Sequence, residues 1–209
     1  MNHKELTKHY AEWIDNLILE YADRHRVSWQ PIDSYIQCNG HFITFSYDRY
    51  AISRRKSASN ECSTTRLSPE FFNVDCVYKR VCRSLLGRKY FKKRDLQPLM
   101  IAAADVNGTR FNPRPESMDN VHIHSFWLLP TGQEHALQVE LERAKLDPDM
   151  DFRDIHSERA TGLTQTSNEP SRLASYMTKF VGANAIDMRL ADDLLIYPFR
   201  VVEGPGDNP

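Results

Sequence analysis

Val121-His122-Ile123-His124-Ser125-Phe126-Trp127-Leu128-Leu129 is an apolar run whose only strongly polar side chains are two histidines, two residues apart. In an extended strand side chains alternate between faces. His122, His124, Phe126 and Leu128 would then share one face, and Val121, Ile123, Ser125 and Trp127 the other. Both faces are mostly apolar, which predicts a central strand. Two imidazoles side by side at the end of such a strand can converge on one cation. Nitrogen ligands suit Mn, Fe, Co, Ni or Zn, and oxygen ligands joining them leave Mg open. The plainer reading is two hydrogen-bonded histidines on a half-buried strand, because a short His-x-His is a weak motif out of context.

Working upstream, Pro98 to Val106 reads as a second buried strand, stopped by Asn107-Gly108. Thr109 to Asn120 holds two prolines and reads as a long hairpin connection, so the two strands are predicted to pair antiparallel. Ser68 and Pro69 start a helix that Gly87 is placed to end. Ser53 to Ser59 reads as an exposed basic loop. His41 to Tyr47 is a β-branched and aromatic strand, introduced by the turn signal Cys38-Asn39-Gly40, with Pro31 in the loop before it. His3 to Arg26 has the three- and four-residue apolar spacing of an amphipathic helix.

Downstream, Pro130-Thr131-Gly132 closes the histidine strand and Gln133 to Ala144 forms a helix. Phe152 to Ala160 is a more polar strand, and Glu169 to Val181 a helix with Asn168 as its cap and Tyr176 and Lys179 one turn apart. Ala183 to Leu195 reads as helical or mixed, Ile196 to Val202 as an edge strand, and Glu203 to Pro209 as a tail. The expected fold class is α+β: a ferredoxin-like or RRM-like central antiparallel sheet with flanking helices, plus an N-terminal helix. Residues 1–30 are expected to form a helical extension, 31–184 the main domain, and 185–209 a C-terminal extension.

The 209 residues have the composition of an ordinary globular protein, with no apolar run near the roughly 20 residues needed to span a bilayer. A cytoplasmic protein without a membrane partner is expected, and four irregularly spaced cysteines suit reduced thiols. The net charge of −1 hides an asymmetry. Between Arg49 and Arg94 there are 13 Lys and Arg against Glu61, Glu70 and Asp75, a local +10 that leaves −11 elsewhere. Such a patch can neutralise phosphates and release their counterions. Arg54, Arg55 and Lys56, and then Arg88, Lys89, Lys92, Lys93 and Arg94, are the candidate nucleic-acid-binding residues. The second cluster interleaves Tyr90 and Phe91, which can stack on bases.

His122-Ile123-His124 resembles the His-hydrophobic-His motif, and Tyr176-Met177-Thr178-Lys179 the Tyr-x-x-Lys motif, of the HUH endonucleases. The rolling-circle replication initiator (Rep) proteins of plasmids and single-stranded DNA phages are the particular likeness. Phe42-Ile43-Thr44-Phe45-Ser46 is similar to that family's first motif, and the resemblance spans roughly His41 to Gly182. It implies a metal-dependent nickase and strand-transfer enzyme acting on single-stranded DNA or a hairpin at a replication origin. Tyr176 would be the single nucleophile, forming a 5′-phosphotyrosine, and Lys179 would lower its pKa or steady the developing charge. His122 and His124 would hold a divalent ion, Mg²⁺ or Mn²⁺. Asp105 is the candidate third ligand, with Glu116 or Asp119 able to reach in instead. No G-x-x-x-x-G-K-[ST] loop is present, so a host helicase as well as a polymerase is implied as partner. The alternatives are a single-stranded DNA transposase or mobilisation relaxase of the same superfamily, or a non-catalytic nucleic-acid-binding module using Phe42, Tyr47 and the basic patch. A two-histidine phosphoesterase lacks its second His-x-Ser/Thr motif.

Overall fold

The structure is a computed structural model describing residues 3–48, 50–54, 67–106, 121–160, 169–178 and 194–198. In chain order its elements are α1 (His3–His25), α2 (Ile32–Asn39), β1 (Gly40–Tyr47), α3 (Pro69–Leu86), β2 (Leu99–Val106), β3 (Val121–Leu128), α4 (Glu134–Leu146), β4 (Phe152–Arg159), α5 (Arg172–Thr178) and β5 (Leu194–Tyr197). Two single 3₁₀ turns, Tyr90–Lys92 and Arg94–Leu96, lie between α3 and β2.

The strands form one sheet in the order β4-β1-β3-β2-β5, antiparallel at every pairing. This is an α+β, RRM-like arrangement with β5 added at the free edge of β2. The histidine strand β3 is at its centre, as two mostly apolar faces require. Ile123 and Trp127 join Ile43, Phe45, Met100 and Ala102 on one face, covered by α3 and α4 through Val74, Val77, Val81, Leu137 and Leu141. Phe126 and Leu128 join Leu99, Ile101 and Ala103 on the other, covered by α1, α2 and α5 through Ile14, Ile18, Tyr35, Ala174 and Met177. Each such fully buried aliphatic or aromatic side chain stabilises the fold by roughly 1.5–3 kcal/mol. The N-terminal helix, expected as an extension, is therefore part of a core layer.

Polar groups inside β3 are satisfied locally. Trp127 Nε1 donates to Ser125 Oγ at 2.9 Å, and Ser125 Oγ donates to the Ile43 carbonyl at 3.2 Å. Ser68 caps α3 by accepting from Phe71 N, Pro69 opens it, and Gly87 ends it at φ 79°, as expected from the sequence. Some expectations fail. Cys38-Asn39-Gly40, read as a turn, is the end of a helix, α2, that runs straight into β1. Gly40 permits this junction, because a Cβ there would stand 2.5 Å from the Ile36 carbonyl oxygen. At the other end of the chain, Leu194 and Leu195, read as helical or mixed, pair with β2 instead. Among the described residues no helix is long and apolar enough to cross a membrane. Cys38, Cys76 and Cys82 are free thiols.

Candidate metal centre and tyrosine

Because β3 lies between β1 and β2, each histidine has a neighbour on either side. His122 is opposite Ser46 on β1 and Asp105 on β2, while His124 is opposite Thr44 and Ala103. The small Ala103 leaves the Asp105 carboxylate room to serve both rings. Its Oδ2 lies 3.1 Å from His124 Nε2 and 3.7 Å from His122 Nε2. The three ligand atoms all lie within 4.8 Å of one another. Asp105, His122 and His124 lie together and could hold a metal ion.

The supporting contacts fix the ring that matters most. His124 Nδ1 shares a 3.0 Å hydrogen bond with Thr44 Oγ1, which turns Nε2 toward Asp105. With a cation bound, His124 would offer its Nε2 lone pair and Nδ1–H would donate to Thr44, the usual way an outer partner sets a ligating histidine's tautomer. Phe42 stacks on His124 at 5.4 Å between ring centroids.

Tyr176 reaches this cluster from α5. Its hydroxyl lies 3.0 Å from His124 Nε2 and donates to Asp105 Oδ2 at 3.4 Å. Its ring meets His124 at 5.0 Å and Phe42 at 5.9 Å, edge to face, and the residue is 41 % exposed. The start of α5 is pinned by a buried pair. Ser171 Oγ accepts from Ala174 N as the cap, while Ser171 N and Oγ donate to the Asp15 carboxylate of α1 at 2.7 and 2.6 Å. An acid at a helix N-terminus also meets the positive end of the dipole. Burial, then the charge and hydrogen bond of Asp105, hold the Tyr176 phenol above its usual pKa. A cation drawing on Asp105 would act in the opposite direction.

Thus four residues read from the sequence, Asp105, His122, His124 and Tyr176, are brought together. Arg88, Lys89, Lys92, Lys93 and Arg94 are not part of this cluster. They lie exposed in the α3–β2 connection, at the opposite end of β2 from Asp105. Arg54 is exposed in the helical stretch 50–54, just beyond β1. Arg55, Lys56, Glu116, Asp119 and Lys179 fall outside the described residues, as does Asn168, expected to cap α5; the cap seen is Ser171. Sequence reasoning missed Asp15 and gave Thr44 no role. Asp15 had a signal, being an acid one helical turn from Ala11 and Ile18 on the buried stripe of α1. No protein-family model, no curated protein and no solved structure matches this chain.

Proposed function

We propose that this protein is a metal-dependent, sequence-specific nicking and strand-transfer enzyme for single-stranded DNA, of the HUH type that starts rolling-circle replication of a plasmid or phage. The observation that supports it is the Tyr176 hydroxyl within hydrogen-bond reach of two members of a His-His-Asp cluster. A phosphodiester repels an anionic nucleophile, so a nickase needs positive charge on the phosphate and a nucleophile held in line with it. Asp105, His122 and His124 would hold a divalent ion, and that ion would supply the charge. The two imidazoles favour Mn²⁺, and the carboxylate leaves Mg²⁺ usable.

Tyr176 Oη attacks phosphorus, forming the Oη–P bond as the P–O3′ bond breaks. The phenol gives up its proton and the departing strand takes one up to end in a 3′-hydroxyl, so the step balances. Covalent capture preserves the phosphodiester's energy for rejoining. Phe42 and the Asp15–Ser171 pair limit where the tyrosine ring can go, and Thr44 keeps His124 Nε2 aimed at the reacting centre. Arg54 and the Arg88–Arg94 cations would hold phosphates at a distance from the chemistry. Strand separation and synthesis fall to a host helicase and polymerase.

The test is incubation of the full chain with single-stranded origin DNA and Mn²⁺ or Mg²⁺, followed by denaturing electrophoresis. A covalent protein–DNA adduct is expected, lost in Tyr176→Phe and on chelation. An adduct that survives Tyr176→Phe would remove the nucleophile. DNA bound without cleavage under every metal would favour the non-catalytic binding module.

A further inference from the structure

A cavity of about 210 Å³ lies at the other end of β2, between α3, the 3₁₀ turns and the end of β5. It is lined by Tyr78, Lys79, Tyr90, Phe91, Arg94 and Tyr197, with Gln97 and Pro198 completing it. Asp105 and Met100, the β2 residue paired with Tyr197, are five positions apart, roughly 17 Å along the strand. The cavity is thus separate from the metal cluster. We propose that it captures one unpaired base of the DNA strand, stacked on its aromatic walls with the adjoining phosphate on Arg94. This rests on the single-stranded DNA reading given above.

The walls are prearranged. Tyr78 and Tyr197 stack at 4.3 Å between centroids with planes 17° apart, and Tyr90 and Phe91 meet edge to face at 6.1 Å. Asp75 fixes two sides of the cavity at once, accepting from the Tyr197 hydroxyl and from Lys79 Nζ, each at 2.6 Å. Lys79 is thereby largely neutralised. The Arg94 guanidinium differs, because among the described residues it makes no hydrogen bond or ion pair, and it lines the cavity from an exposed position with exposed Arg88, Lys89 and Lys92 nearby in sequence. An aromatic recess lined also by an exposed guanidinium without a partner among the described residues fits a π-system that carries an anion, which is a nucleotide.

Size and polarity narrow the ligand further. The volume is below the roughly 300–1,000 Å³ of sites for drug-sized ligands, which suits a single base rather than a dinucleotide. The Gln97 amide is already committed, donating to the Tyr90 carbonyl at 2.8 Å and accepting from the Tyr78 hydroxyl at 3.2 Å. Few polar groups remain to read a base edge, so stacking dominates and base identity matters little.

The experiment measures equilibrium binding of a labelled single-stranded oligonucleotide to the full-length Tyr176→Phe protein, so that binding is read apart from nicking. Phe91→Ala, at an exposed position, is expected to weaken binding about tenfold with no change in charge. Arg94→Ala should weaken it more than Arg88→Ala, although each removes one positive charge. An oligonucleotide made abasic one position at a time should lose affinity sharply at one position, and that loss should vanish in Phe91→Ala. Unchanged binding in Phe91→Ala, or a flat abasic profile, overturns the proposal. Free mononucleotides competing as well as the strand would assign the cavity to a soluble nucleotide and overturn it too. If these binding effects hold while the wild-type chain never forms an adduct, the nickase reading fails and the pocket stands.

Discussion

His124 and His41 sit on adjacent strands and are almost equally hidden, 7 % and 1 % exposed, yet their surroundings differ in kind. Both ring nitrogens of His124 are engaged, by Thr44 on one side and by Asp105 and Tyr176 on the other. His41, at the opposite end of β1 and on the other face, has a buried Nε2 with no hydrogen-bond partner among the described residues. Its closest acid, Glu134, is 4.0 Å away and paired with Arg159. Burial alone does not make a histidine functional. What separates the two is convergence: groups from three elements meet at His124, whereas among the described residues only Glu134, itself paired with Arg159, approaches His41 Nε2, and it stays beyond hydrogen-bond reach.

The contrast can be broken most forcefully at the cluster itself. His124→Ala or Asp105→Ala should lower adduct formation more than about 100-fold, beyond the 10- to 100-fold typical for outer partners of a metal ligand. Quantified adduct yield with Mn²⁺ checks it, and full activity in either variant would show that the cluster is a structural polar group. Thr44→Val should fall within that 10- to 100-fold range, read as weaker Mn²⁺ binding by calorimetry, while Thr44→Ser should restore most of it. Equal Mn²⁺ affinity in wild type and Thr44→Val would mean that the 3.0 Å bond to Nδ1 does not orient the ring.

Much of this contrast was legible in the chain. The alternation of side chains in Val121 to Leu129 placed the histidines on one face of a central strand, and the expected antiparallel pairing brought the end of the preceding strand, with Asp105, toward them; the register beside His122 is the structure's. His41 too was legible as a strand residue, but alternation gives faces, not partners. Whether its Nε2 would find a donor or acceptor depends on where α4 and β4 set Glu134 and Arg159, and that is tertiary information. The same holds for α2. Its eight residues are too few to show a helical period, and the Cys-Asn-Gly signal is shared by turns and helix ends. The cavity near Tyr197 gathers residues from α3, the 3₁₀ turns and β5, of which only the basic-aromatic run was visible as a motif.

A smaller effect is expected at the helix that carries the tyrosine. Ser171→Ala removes the cap of α5 and leaves Asp15 with no hydroxyl to accept from. Loss of a serine cap costs about 1 kcal/mol, read as a lower midpoint in urea unfolding. Adduct formation should fall several-fold through the tyrosine's position, with Mn²⁺ affinity unchanged. A loss of Mn²⁺ affinity equal to that of Thr44→Val would place Ser171 with the ligands instead.

The smallest effect is expected at His41 and has a definite sign. Burial first, and Arg159 with it, push the His41 pKa below the usual value, against the opposing pull of Glu134. The folded state thus favours the neutral ring, and its contribution to stability is present above the unfolded pKa of about 6.5 and is lost as pH falls below it. His41→Phe removes both the titration and the unpartnered nitrogen. At pH 8 the variant should be within about 1 kcal/mol of wild type, because replacing an unsatisfied polar atom by an apolar one of similar shape is nearly neutral. Between pH 7 and 5 the difference should grow in favour of phenylalanine, measured by urea unfolding at each pH, and adduct formation should not change. A difference that shrinks as pH falls would mean that His41 is held protonated by Glu134, making it a paired histidine after all.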